Sequence, residues 1–191
     1  MRKYLSFQVF IGLVMAAVFL PVVSALAGPV DEGTQFNYTL PSPDSSKTQA
    51  YLGLKTMGPF KVSDVKAKVV VIELMSSTCP HCQASAPNMN RLYKLMQSDP
   101  AMAHVRFFAL SLRDNQAGVD TFKKAFSTTY PILLDKDHSI THTLKGLETP
   151  TTIIVSTATG KILSSHPGGI ESPDGFIKQI NFVKALTAMG Q

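Results

Sequence analysis

The chain has 191 residues, of which 45% are hydrophobic and 16% are charged, and its formal net charge is +5. This length predicts one globular domain, and the apolar share argues against a chain that is mainly disordered. The mild charge, without clusters of lysine and arginine among aromatic residues, argues against a nucleic-acid partner, and two cysteines are too few for a disulfide-stapled scaffold.

The first 27 residues have the three-part pattern of a secretory signal peptide. A short basic start precedes an unbroken apolar run over residues 9–20. Small residues at Ala25 and Ala27 then suit signal peptidase and predict cleavage after Ala27. The alternative is an uncleaved anchor, because residues 9–27 approach the roughly 20 residues that span a bilayer. In either case we expect the rest of the chain in the periplasm or on the outer face of the inner membrane.

The exported part divides into a lead-in and a domain. Residues 28–50 are rich in proline, serine, threonine and aspartate, which predicts a lead-in segment of irregular structure. From residue 51 onward, strand patterns alternate with helix patterns. We therefore assign residues 51–191 to one domain.

The first half of this domain contains two predicted strands and a helix. Residues 69–74 form an apolar, β-branched run that is typical of a strand buried on both faces. Residues 82–96 have apolar side chains at helical spacing and predict a helix. Residues 105–110 predict a second buried strand.

The second half continues the alternation and ends in a hairpin and a helix. Its pattern predicts a helix at 119–126, a strand at 130–134, a helix at 138–144, a hairpin of 152–155 with 161–165, and an amphipathic helix at 176–186. Strands that alternate with helices form a largely parallel sheet covered on both faces, and the hairpin adds an antiparallel edge. We therefore expect an α/β fold around a central mixed sheet.

The two cysteines form the motif Cys79-Pro80-His81-Cys82, which follows the first buried strand and opens the helix. Pro80 suits the first helical position because its missing N–H would have no partner there. Cys79 would then lie at the positive end of the helix, where free N–H groups lower the thiol pKa from about 8.5 into the range of about 3.5–7.5. A protonated or donating His81 would act in the same direction. Cys82, one turn later, is placed to attack a mixed disulfide at Cys79.

Disulfide exchange is the leading hypothesis for this motif, with Cys79 as nucleophile, Cys82 as resolving thiol and their own disulfide in place of a cofactor. A copper or apocytochrome chaperone that uses the same residues without turnover is the alternative, because two thiolates and a histidine can hold copper. A third hypothesis is an envelope adaptor with a structural disulfide, although so short a loop stabilises little. Zinc would need a second cysteine pair, and we expect no metal site.

Other residues complete a pattern around the cysteines. Pro87 stands five residues after Cys82, and Thr149-Pro150 precedes an apolar run. Glu73 stands six residues before Cys79, inside an otherwise apolar strand. With these features, the stretch from about residue 60 to residue 186 resembles the extracytoplasmic thioredoxin-like proteins of the TlpA/ResA type. These are bacterial thiol–disulfide oxidoreductases, many of which serve cytochrome c maturation.

The resemblance implies a thioredoxin-like fold and a role for each of these residues. In such a fold the central mixed sheet is covered by helices on both faces, and residues 130–134 with their flanking helices form an inserted βα unit. Pro87 would kink the active-site helix, and Thr149 and Pro150, the latter in a cis peptide, would bind an extended peptide substrate. Glu73 falls where thioredoxins keep a buried acid.

Burial would raise the pKa of Glu73 and make it a candidate proton acceptor for the Cys82 thiol. In the alternative interpretation, Glu73 faces a water-filled cleft or pairs with a lysine.

The chain departs from the family at the position before the first cysteine. Thr78 stands where these proteins usually have tryptophan, and the chain contains no tryptophan. Pro80-His81 is the dipeptide of the strongly oxidising DsbA-type enzymes, whereas the rest resembles a reductive branch, so both directions of electron flow stay open. The Pro-x-x-x-Thr-x-x-Cys pattern of peroxiredoxins is absent. The resemblance implies protein thiols or disulfides as substrates and an envelope electron donor or acceptor as partner, and we expect a monomer.

Overall fold

The computed structural model describes residues 28–189, which fold around a central five-stranded sheet. Its strands are β1 Val69–Met75, β2 Val105–Ser111, β3 Ile132–Leu134, β4 Thr151–Ser156 and β5 Ile162–Pro167. They lie in the order β3-β2-β1-β4-β5. The pairs β1–β2 and β2–β3 are parallel, whereas β4 is antiparallel to both β1 and β5. The predicted mixed sheet and its terminal hairpin are confirmed.

Five α-helices cover the sheet. They are α1 Ser46–Leu52, α2 Pro80–Ser98, α3 Gln116–Ala125, α4 Ser139–Thr143 and α5 Pro173–Met189. Alternate side chains of β1 point to opposite faces, as the pleat requires. One set packs with α2, α3 and α5, and the other packs with α1, α4 and the segment between residues 30 and 65. The central strand is therefore buried on both faces, which explains why its sequence is apolar at nearly every position.

The segment at residues 28–50 is part of the fold. Val30, Phe36 and Leu40 are buried in the core, and Leu40 exchanges backbone hydrogen bonds with Phe60. The prediction of irregular structure through residue 50 is wrong at its end, because α1 begins at Ser46. Seven residues are too few to show a helical period, and the polar composition concealed the helix.

The helix that follows the cysteines continues through Pro87. It begins at Pro80, two residues before the predicted start, and ends at Ser98. Cys82 and Ala86 before the proline and Met89, Leu92 and Met96 after it are buried, so the helix is held against the sheet on both sides of Pro87. Packing therefore outweighs the backbone hydrogen bond that Pro87 cannot make.

The prediction of a signal peptide or anchor concerns residues 1–27 and lies outside the described residues. Within residues 28–189, no helix is long and apolar enough to cross a membrane.

Candidate active site

Both cysteines lie where β1 leads into α2. Cys79 is the N-cap residue of α2 and is half-buried, whereas Cys82 is only 1% exposed. Both thiols are free. Thr78, Pro80 and His81 are exposed on the surface around Cys79. One sulfur is thus accessible to a partner and the other is enclosed behind it.

The surroundings of Cys79 favour its thiolate. Burial by itself raises the pKa of the Cys79 thiol, but hydrogen bonds from the Thr149 side chain and from the backbone N–H groups of Cys82 and His81 outweigh this effect. The pKa of Cys79 therefore lies below its ordinary value. Free N–H groups at a helix N-terminus produce this effect in general. His81 contributes its backbone to this set, while its imidazole lies at the surface.

The surroundings of Cys82 favour its protonated thiol. Burial is the largest cause, and the neighbouring Cys79 and Glu73 add to it, which raises the pKa of Cys82 to about 12. A backbone hydrogen bond from Ser76 opposes the shift in part. The two thiols therefore differ in the way that a nucleophile and a resolving thiol must differ, and the resolving thiol needs a proton acceptor.

We expect iodoacetamide to alkylate Cys79 at least about a hundredfold faster than Cys82 at pH 7, because the thiolate reacts and its fraction falls about tenfold for each unit of pKa above the pH. As the pH rises, the Cys79 rate levels off first, while the Cys82 rate continues to increase. Mass spectrometry of the labelled peptides measures both rates. Urea-unfolded protein, in which the two thiols should react alike, is the control. Equal rates in the folded protein would contradict the assignment of roles.

Glu73 lies directly behind the cysteines. It is 1% exposed, and burial raises its pKa from 4.5 to about 8, with Tyr130 lowering the value and Cys79 raising it. Its burial was predicted correctly. The alternative of a lysine partner is wrong, since no lysine pairs with Glu73 in the part of the chain that the structure describes. A carboxyl group with a pKa near neutrality can both accept and release a proton.

The loop before β4 closes the other side of the site. The peptide bond between Thr149 and Pro150 is cis, as predicted. The Cys79 thiol donates a hydrogen bond of 3.2 Å to the Thr149 carbonyl oxygen. The structure therefore brings Cys79, Cys82, Glu73, Thr149 and Pro150 together. Pro87 lies further along α2.

Asp114 is a residue of the site that the sequence did not reveal. This buried carboxylate accepts hydrogen bonds from the Ser77 backbone N–H and hydroxyl, both at 2.7 Å, from the Ser76 hydroxyl at 3.2 Å, and from the Ser111 hydroxyl. The loop between β1 and Cys79 is thereby tied to the end of β2. Asp114 follows a strand in a polar stretch that resembles an ordinary turn. The sequence feature that could have indicated Asp114 was the set of serines at the carboxyl ends of two neighbouring parallel strands.

We expect Asp114→Ala to lower the free energy of unfolding by about 3 kcal/mol or more, because it leaves several buried donors without an acceptor. Displacement of the Ser76–Ser77 loop should also change the reactivity of Cys79. Urea denaturation and alkylation rates measure the two effects. Asp120, an exposed residue that accepts a hydrogen bond from Gln116, is the matched control, and Asp120→Ala should change stability by less than about 0.5 kcal/mol. Similar losses in both variants would contradict this role of Asp114.

Among residues 28–189, no group of three or more histidine, cysteine, aspartate or glutamate side chains is arranged to hold a metal ion.

Comparison with known proteins agrees with this geometry. Residues 41–164 match the model of the AhpC/TSA family. The chain is 25% identical over 119 residues to the thiol-disulfide oxidoreductase ResA of Geobacillus thermodenitrificans, a match that covers 62% of this chain and 64% of that protein. The chain is also 25% identical over 108 residues to the Bacillus subtilis protein of the same name, a match that covers 56% of this chain and 58% of that protein. The chain thus spans less than two thirds of these relatives.

The fold has a close counterpart among solved structures. A Chlorobium tepidum protein that carries the name thiol:disulfide interchange protein DsbE superposes with a TM-score of 0.60 at 19% sequence identity. The superposition covers 81% of this chain and 99% of that one. At this identity, the likeness concerns the fold alone.

Proposed function

Because the chain belongs to the AhpC/TSA family and has a thioredoxin-like fold, we propose that it is a thiol–disulfide oxidoreductase acting on protein thiols through Cys79 and Cys82. One observation carries this proposal. A half-buried thiol of lowered pKa at the N-terminus of α2 lies one turn before a buried thiol whose pKa is raised to about 12. This difference between the pKa values of the two thiols suits disulfide exchange, whereas a structural disulfide needs no such difference.

The exchange proceeds in two balanced steps. In the reductive direction, the Cys79 thiolate attacks a substrate disulfide, the substrate S–S bond breaks, and one substrate sulfur leaves as a thiolate. Cys82 then loses its proton and attacks the Cys79 sulfur, which forms the Cys79–Cys82 disulfide and releases the second substrate sulfur. Two electrons pass from the cysteine pair to the substrate. The oxidative direction is the reverse sequence.

The loop at Thr149 and Pro150 is proposed to position the substrate. The Thr149 carbonyl already accepts a hydrogen bond from the Cys79 thiol, so an extended peptide that lies along this loop has its own sulfur beside Cys79. Extended peptides commonly bind through backbone hydrogen bonds of this kind. Thr78, Pro80 and His81 form the exposed surface that such a peptide meets.

The cellular setting is a further part of the proposal. We place the protein in the periplasm or on the outer face of the inner membrane, with an envelope electron donor or acceptor and a place in cytochrome c maturation. The signal-peptide pattern of the first 27 residues and the resemblance to the TlpA/ResA type support this setting. We propose that the protein acts as a monomer and needs no cofactor besides its own disulfide.

Titration of the cysteine pair against dithiothreitol and glutathione buffers tests the proposed activity. We expect one reversible two-electron transition that disappears in Cys79→Ser. A potential near about −120 mV assigns the protein to oxidation, and one near or below about −270 mV assigns it to reduction. Absence of a reversible transition overturns the proposal. Tight stoichiometric binding of Cu(I) without thiol exchange would support the copper chaperone instead.

A further inference from the structure

A buried tyrosine, Tyr130, lies near Glu73. Strand β2 separates β1 from β3, and the register pairs Glu73 with Ala109 and Ala109 with Ile132. Tyr130 stands two residues before Ile132, so its side chain shares the face of the sheet that carries Glu73. The small side chain of Ala109 leaves room between them, and the Tyr130 hydroxyl approaches the Glu73 carboxyl closely enough to lower its pKa.

The Glu73 carboxyl group and the Tyr130 hydroxyl group are both buried, and each has an oxygen atom that makes no hydrogen bond among the described residues. Within the described range of the chain, neither Oε2 of Glu73 nor the hydroxyl of Tyr130 has a hydrogen-bond partner. Tyr130 itself is 2% exposed. Buried polar atoms of this kind are rare in folded proteins because they are costly, and they concentrate at functional sites.

Thr128 extends this set toward the surface. Its Oγ1 is also buried and lacks a partner among residues 28–189. It lies near the Tyr130 hydroxyl, because Thr128 lowers the pKa of Tyr130, which burial and Glu73 raise. Thr128 belongs to the turn after α3, and its neighbours Ser127 and Thr129 are exposed. Glu73, Tyr130 and Thr128 therefore form a set of buried polar groups, and the last of them stands between two exposed residues in the chain.

We propose that the hydroxyl groups of Tyr130 and Thr128 form the route by which protons pass between Glu73 and solvent. This route rests on the proposed disulfide exchange, in which Glu73 takes the proton of Cys82. Glu73 then gives a proton to the Tyr130 oxygen while the Tyr130 hydroxyl proton passes to Thr128 and a proton leaves Thr128 for solvent. One proton leaves in total, and the electrons remain with the sulfur exchange.

A second tyrosine beside Tyr130 provides the control. The titratable groups that face Tyr130 are Glu73 from β1, and Cys82 and Tyr93 from α2. The rings of Tyr93 and Tyr130 are 6.3 Å apart, but the pKa of Tyr93 is shifted by burial, Tyr51 and Arg106, and neither Glu73 nor Thr128 is among the causes. Tyr93→Phe therefore removes a neighbouring hydroxyl without interrupting the proposed route.

The test is the reaction of the reduced protein with oxidised glutathione, followed by acid quenching and mass spectrometry. The masses of the quenched species distinguish the rate of attack by Cys79 from the rate of resolution by Cys82. We expect Tyr130→Phe to slow resolution roughly tenfold, less than the ~10²–10⁴-fold contribution of a general base itself. The pH midpoint of resolution should shift upward, because Tyr130 no longer lowers the pKa of Glu73. The attack by Cys79 should be unchanged.

Thr128→Val should slow resolution in the same direction by a smaller factor, and Tyr93→Phe should leave both steps unchanged. If Tyr130→Phe matches Tyr93→Phe in rate and in pH midpoint, the route is overturned. If only Thr128→Val is without effect, the exit through Thr128 is overturned. Failure of the wild-type protein to form the Cys79–Cys82 disulfide at all would instead contradict the proposed function, so the two failures are distinguishable.

Discussion

We expect replacement of Cys79 by serine to abolish disulfide exchange, and replacement of Cys82 by serine to leave the protein covalently attached to its substrates. Cys79 is the accessible thiol of lowered pKa, so without it no mixed disulfide forms. Cys82 is enclosed and resolves the mixed disulfide, so without it the intermediate persists. Insulin reduction in the presence of dithiothreitol measures the first effect, and we expect a loss of roughly 10³-fold or more, the scale on which removal of a nucleophile acts.

Non-reducing electrophoresis of exported proteins measures the second effect. Cys82→Ser should show covalent adducts that dithiothreitol releases, and the double variant with Cys79→Ser should show none. Thr78→Ser, a conservative change at the exposed position beside Cys79, is the control and should keep most of the activity. Undiminished insulin reduction by Cys79→Ser would show that the cysteine motif does not carry the reaction.

The parts of the fold that could be predicted are those in which burial dictates composition. Strand β1 is buried at every one of its positions, so its sequence is continuously apolar, and the single exception, Glu73, was a visible anomaly. The position of the cysteine motif could also be predicted, because a proline that follows a strand and precedes a helical pattern is typical of the first residue of a helix. Location and chemistry could both be inferred there from local sequence alone.

The parts that could not be predicted depend on contacts between distant segments. Asp114 lies 37 residues from Ser77 in sequence, and no local pattern shows that their side chains meet. The predicted strand at 130–134 included Tyr130, whereas β3 begins at Ile132, and the approach of Tyr130 to Glu73 depends on the register of β1, β2 and β3. Helix α1 was concealed by its length and its polar residues. Tertiary packing decides each of these features.

Glu73→Gln should slow the resolution step by about 10²–10³-fold, because the amide has nearly the shape of the carboxyl group but cannot accept the Cys82 proton. The wild-type rate should rise with pH through the pKa of Glu73, about 8, as the carboxylate forms, and this dependence should disappear in the variant. The rapid-quench reaction with oxidised glutathione measures the rate of resolution and its dependence on pH. The attack by Cys79 should keep its rate, which distinguishes loss of the proton acceptor from general damage to the site.

The same substitution should change how stability depends on pH. The pKa of Glu73 rises from 4.5 to about 8 on folding, so the folded state holds a proton that the unfolded state releases. The contribution of Glu73 to the free energy of unfolding is therefore fully present below about pH 4.5, falls as the pH rises toward about 8, and levels off above it, a loss on the order of several kcal/mol. Urea denaturation of the reduced protein across this range measures the loss. Glu73→Gln should remove most of it, and Glu171→Gln, at an exposed position, should leave it in place. Parallel stability curves for wild type and Glu73→Gln would show that the pKa of Glu73 does not rise on folding, and Glu73 would then be too weak a base to serve as the proton acceptor of Cys82.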